Sequence, residues 1–134
     1  MSTNATRVVL ADDEVLMREG LAGLLERSGF EVVGQCGNAS ELIDLVRELR
    51  PDLVIVDIRM PPTHTTEGLE AARTIREELP EVAILVLSAH LTDEDIQAYE
   101  ALKVDMMMSK PFDFEELQSA VALLTKGASV RVAA

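Results

Sequence analysis

Apolar and polar positions along this chain alternate between two patterns. The short apolar runs Val8–Ala11, Leu53–Val56 and Val82–Leu87 contain no polar residue and are too short for helices. They read as strands, and an unbroken run such as Leu53–Val56 suits a central strand covered on both faces. Glu31–Cys36 is short and β-branched, and Met106–Met108 is a further short apolar run, so each adds a strand. Between these runs the apolar residues recur at helical spacing. Leu16, Leu21, Leu24 and Leu25 mark a helix over 14–28 stopped by Gly29, and Leu42, Ile43, Leu45, Val46 and Leu49 mark a second, stopped by Pro51. Gly68–Leu79 is a third, ended by Pro80. A fourth runs from a Thr92/Asp95 cap to about Leu102. A fifth starts at an Asp113/Glu116 capping box, with Phe112 stapling onto Leu117, and runs to about Lys126. Asn38 and Glu41 have the same capping spacing before the second helix. Met60–Glu67, with paired prolines, is loop. Strands and helices in strict alternation, joined by short connections, predict an α/β domain: a doubly wound parallel sheet with helices on both faces.

Composition sharpens this picture in three ways. At 134 residues and 48% hydrophobic, the chain supports one core, with residues 1–6 as a frayed tail, 7–126 as the domain, and 127–134 as a tail or a linker cut short. The lone Cys36 reads as a small buried strand residue and suits a reducing compartment. The formal charge of −12, with three Phe, one Tyr and no Trp, argues against nucleic-acid binding by this segment, which needs basic clusters or stacking platforms. No stretch is long and apolar enough for a membrane span or a signal peptide, and no internal repeat is visible.

The chemistry lies where the strands end. Asp12 and Asp13 close the first run, Asp57 the third and Ser88 the fourth, and Lys110 follows the fifth. In a parallel sheet these ends share one edge, where open α/β sheets place their sites. By themselves Asp12 and Asp13 read more readily as helix-capping acids than as a site. Asp57 is different, because a carboxylate leaving a wholly apolar strand loses hydration unless cations compensate it. Mg²⁺ takes oxygen ligands and is commonly held by one or two carboxylates plus phosphate oxygens. A carboxylate is also a competent nucleophile for phosphoryl groups.

In this ordered set the chain resembles the receiver domain of two-component response regulators. The motifs are Asp12-Asp13, Asp57, Met60-Pro61, Ser88-Ala89 and Lys110-Pro111-Phe112, and the resemblance spans roughly Arg7 to Lys126. It implies a flavodoxin-like, five-stranded sheet in the order 2-1-3-4-5. It implies that Asp57 accepts a phosphoryl group from a sensor histidine kinase. It further implies that Mg²⁺ is held by Asp12, Asp13, Asp57 and the backbone carbonyl of Arg59. Ser88 and Lys110 would sense the phosphoryl group, and the peptide bond before Pro111 would be cis. The expected role is cytoplasmic signalling in transcription regulation, with self-catalysed phosphotransfer and dephosphorylation and no other enzymatic activity. Output would pass through the surface of the fourth helix, fifth strand and fifth helix, a candidate homodimer face.

Two positions depart from the family pattern. The switch position paired with Ser88, usually aromatic, is Met107. The Pro61–Glu67 loop is longer than in the commonest receivers and looks like that of a subset of helix-turn-helix regulators, which carry a second, DNA-binding domain; the expectation is either a stand-alone receiver or one cut from such an output domain. Three alternatives compete. A flavodoxin would need a hydroxyl- and glycine-rich phosphate loop where Asp12-Asp13-Glu14 stands. A haloacid-dehalogenase-like phosphatase would need an acid at Arg59 to donate a proton. A degenerate receiver acting as an unphosphorylated binding module would lack Asp57 or Lys110, and both are present. His64 has no second His or Cys at ligand spacing and reads as a solvated loop residue.

Overall fold

The computed structural model describes residues 5–58, 67–88, 92–109, 113–124 and 131–133. Strands and helices alternate as β1 (Arg7–Ala11), α1 (Val15–Arg27), β2 (Glu31–Cys36), α2 (Ala39–Leu49), β3 (Leu53–Asp57) and α3 (Glu67–Glu78). They continue as β4 (Ala83–Ser88), α4 (Asp93–Ala101), β5 (Met106–Ser109), α5 (Phe114–Leu124) and β6 (Arg131–Ala133). Every pairing is parallel, and the order is β2-β1-β3-β4-β5-β6. The first five strands follow the order 2-1-3-4-5. The three-residue β6 is an addition to the expected sheet. It pairs with the outer edge of β5 and satisfies backbone groups that an edge strand would otherwise leave open.

Strand side chains alternate between two buried layers, which is why these runs contain no polar residue. Val9, Val54, Val56, Ile84, Val86 and Met107 pack with α2, α3 and α4 on one face. Val8, Leu10, Ile55, Leu85, Leu87 and Met108 pack with α1 and α5 on the other.

The helix ends follow the residues that mark them. Asn38 accepts the Glu41 amide at 2.8 Å, and Thr92/Asp95 and Asp113/Glu116 each form a reciprocal capping box. After α1, Gly29 at φ 96° lets the Phe30 amide reach the Leu25 carbonyl and its own amide reach that of Glu26, a Schellman stop. Phe112 of the expected staple and the expected end of the last helix near Lys126 lie outside the described residues.

One expectation is corrected. Leu16 does not join the buried stripe of α1; it is 87% exposed, and the stripe is Leu21, Ala22 and Leu25. At 3.6 residues per turn, Leu16 is rotated roughly 140° from Leu21. Arg18, by contrast, falls between Leu25 and Ala22 on the inward side.

Helix α3 is seated directly on the exit of β3. The Gly68 amide donates to the Ile58 carbonyl at 2.9 Å. A Cβ at Gly68 would stand 2.5 Å from the Asp57 carbonyl oxygen and 2.6 Å from that of Ile58. Both obstacles are backbone and cannot turn aside. At the opposite end of the sheet, Asp105 accepts the Ile84 amide at 2.7 Å and the Arg76 guanidinium at 2.8 Å, which ties α3 to β4 and β5.

Two expectations arise from this packing. Gly68→Ala should lower the unfolding free energy by about 1–3 kcal/mol, the range for overpacking a tight site, as read from urea denaturation. An unchanged midpoint would mean that α3 is not seated on β3 as described. The second concerns Cys36, buried at the end of β2, whose thiol burial pushes up from 9.0 to about 11. The fold thus favours the protonated thiol. Its contribution is fully present below pH 9 and is lost as pH rises toward 11. The stability difference between wild type and Cys36→Ala should shrink across that window, and a difference independent of pH would contradict the assignment.

Candidate phosphoacceptor and metal site

The parallel register carries the strand ends to one edge. Leu10 lies beside Ile55, Ala11 beside Val56, and Asp57 beside Leu87, so the residues that follow these apolar runs emerge together. The carboxylates of Asp12, Asp13 and Asp57 converge: one oxygen from each lies within 4.8 Å of the other two. Asp12 is 2% exposed and Asp57 9%. Ser88 is buried at the end of β4, next to Asp57 along the sheet edge and opposite Ser109 of β5.

Asp12 is fixed by contacts from three directions. Its amide donates to the Cys36 carbonyl at 3.1 Å, tying the β1 exit to the β2 exit. Its Oδ1 accepts the Glu14 amide at 2.9 Å at the start of α1. Its carbonyl accepts Arg18 Nη1 at 2.8 Å. Asp12 therefore braces the turn that leads to Glu14, the N-cap residue of α1, which has no side-chain cap, and it also faces Asp57. The turn contact takes the place of the expected helix-capping role and leaves the metal-binding reading open.

Three buried or half-buried like charges at this spacing repel one another strongly in a poorly hydrated setting. The arrangement suits a small hard cation with oxygen ligands, and Mg²⁺ fits the donor set. Beside it, Asp57 offers a nucleophilic oxygen.

Of the residues singled out in the sequence, Asp12, Asp13, Asp57 and Ser88 are brought to one edge. Met107 lies one strand away, fully buried in the layer that also holds Tyr99, Val86 and Val104. Arg59, Lys110, Pro111, His64 and the Met60-Pro61 motif lie outside the described residues. Two residues were not singled out from the sequence. Gly68 carries no local signal beyond opening a helical pattern. Arg18 does carry one: it is a charge at the spacing of Leu21 and Leu25, on the stripe that ought to be apolar.

Comparison with known proteins agrees with this geometry. The family model of the response regulator receiver domain matches residues 8–122. The transcriptional regulatory protein PdtaR of Mycobacterium tuberculosis is 34% identical over 117 residues, covering 87% of this chain and 55% of that protein. The response regulator protein VraR of Staphylococcus aureus is 32% identical over 127 residues, covering 92% of this chain and 58% of that protein. The chain thus spans little more than half the length of these curated relatives. Among solved structures, the isolated REC domain of RcsB from Salmonella enterica serovar Typhimurium, in the presence of phosphomimetic BeF3⁻, superposes with a TM-score of 0.85 at 25% identity. That match covers 97% of this chain and 94% of the other. A LuxR-family two-component response regulator from Aurantimonas sp. gives 0.86 at 29% identity, covering 96% and 90%. With the family model running from β1 into α5 and the three acids at the sheet edge, the chain belongs to the response regulator receiver domain family.

Proposed function

We propose that this domain takes a phosphoryl group from the phosphohistidine of a sensor histidine kinase onto Asp57 and relays its presence to a distant surface. The observation that carries this reading is the convergence of the Asp12, Asp13 and Asp57 carboxylates within 4.8 Å. In the transfer, an Asp57 oxygen bonds to phosphorus as the phosphorus–nitrogen bond of the donor breaks, and the electron pair returns to the donor imidazole. Such transfers ask mainly for positioning and for positive charge near the equatorial oxygens. Asp12, Asp13, Asp57 and the carbonyl of Arg59 would hold Mg²⁺, which when bound supplies that charge. The Ser88 hydroxyl and the Lys110 ammonium would contact the phosphoryl oxygens.

A phosphoryl group adds charge and strong acceptors, which biases a bistable element. Ser88 and Lys110 stand at the starts of the connections into α4 and α5, so the responding surface is α4, β5 and α5. This is also the candidate homodimer face, and a partner there meets residues 131–133 along β5. Met107 takes the place of the family's aromatic switch residue. Its unbranched side chain fills an irregular gap without a fixed ring geometry, which favours a softer switch. The setting would be the cytoplasm, and the output regulation of transcription by a longer protein. Among the described residues no helix is long and apolar enough to cross a membrane.

Incubation with acetyl phosphate and Mg²⁺ should add one phosphoryl mass to the wild-type chain, and EDTA or Asp57→Asn should abolish the gain. Stoichiometric uptake by Asp57→Asn, seen by intact-mass spectrometry, would falsify the assignment. The switching part is checked separately by amide exchange. Adding beryllofluoride should alter protection between Thr92 and Leu117, and identical exchange with and without it rules out relay through that surface.

A further inference from the structure

Arg18 sits on the inward stripe of α1, where a charged side chain is costly. Its Nη1 donates to the Asp12 carbonyl at 2.8 Å, whereas its Nε is shut off from solvent with no hydrogen-bond partner among the described residues. A buried donor left unmatched costs stability, so the fold keeps this guanidinium for something other than packing. Its surroundings indicate what that is. A Cβ on Gly37 would lie 3.2 Å from Arg18 Nη1, 3.7 Å from Asp13 Cα and 3.9 Å from the Asp12 oxygen. The missing side chain at Gly37 leaves the space in which the guanidinium and the turn after β1 approach each other.

We propose that Arg18 is a positioning residue for the metal-binding acids, holding the Asp12 carbonyl so that the Asp12 and Asp13 carboxylates keep facing Asp57. This rests on the reading of the acid cluster as a Mg²⁺ site. The amide of Asp12 is held by β2, and its Oδ1 closes a turn over the Asp12–Asp13 peptide onto the Glu14 amide, so the orientation of that peptide sets where Asp13 lies. The Arg18 contact fixes that peptide. Residues that orient metal ligands from behind commonly change metal affinity when removed by about 10–100-fold.

A second effect has the opposite sign, and that makes the role testable. A guanidinium near a divalent cation repels it, so a purely electrostatic Arg18 would weaken Mg²⁺ binding, and its removal would tighten it. Positioning predicts the reverse. Mg²⁺ is titrated into the full chain by calorimetry, for wild type, Arg18→Met, Arg18→Lys and Gly37→Ala, with each fold checked by circular dichroism. Arg18→Met should raise the Mg²⁺ Kd about tenfold, at the low end of that range. Arg18→Lys, which keeps a donor on a long stem, should restore most of the affinity. Gly37→Ala, which presses on the guanidinium, should weaken binding in the same direction by a smaller factor. Unchanged or tighter binding in Arg18→Met overturns the positioning role while leaving the metal site standing. If Arg18→Met does not fold, Gly37→Ala decides, and wild-type affinity there overturns the proposal. A wild-type chain that binds no Mg²⁺ overturns the metal reading and the positioning role together.

Discussion

Mutual repulsion among three carboxylates is the constraint to which the rest of this molecule answers. Asp12, Asp13 and Asp57 stand within 4.8 Å of one another at the rim of an apolar sheet, where water screens them poorly. In a loop-built site the acids would move apart. Here Asp57 ends β3 and Asp12 follows β1 directly, so moving either would mean shifting a strand within two packed layers, and Asp13 is tied to Asp12 by the next peptide. The hydrophobic sandwich supplies the rigidity, and the rim carries the electrostatic cost. The net charge of −12 increases that cost, since the field of the whole chain also disfavours further negative charge at the rim.

The means of holding the acids are mostly backbone. The bond from the Asp12 amide to the Cys36 carbonyl and that from the Ile58 amide to the Leu87 carbonyl at 3.0 Å link neighbouring strand exits independently of side-chain identity. This explains how response regulators sharing 25–29% of their residues with this chain superpose on it with TM-scores of 0.85 and 0.86. What must be kept is an apolar run of the right length followed by an acid. The residues inside each run can vary within the limits of packing.

That division decides what was legible in the sequence. The strands of the central sheet were readable because burial on both faces removes every polar residue from them. Cap chemistry was readable because the spacing between Asn38 and Glu41, Thr92 and Asp95, or Asp113 and Glu116 is a local property. The acids at the strand ends followed from parallel topology alone. Leu16 misled because an isolated leucine in a first turn fits helical spacing without specifying which face is inward; only the positions of Leu21, Ala22 and Leu25 against the sheet settle that. Strand β6 was not legible because three residues of edge pairing carry too little apolar pattern to stand out from a tail. Gly68 and Arg18 were missed because their roles depend on contacts with β3 and with the turn after β1, which local spacing does not report.

The clasp between Ile58 and Gly68 has a consequence for how this family can vary. The chain leaves the sheet at Ile58 and is back in hydrogen-bond contact with the same residue at Gly68. Whatever length of chain lies between, its ends are fixed by that bond and by α3 resting on the Asp57 backbone. For such a closed segment the entropic cost grows only with the logarithm of length, about 0.6 kcal/mol per doubling. Insertions and deletions after β3 are therefore cheap and leave the acids where they are. The proline-rich stretch between Ile58 and Gly68 can therefore vary in sequence and length while the bond that closes it stays the same.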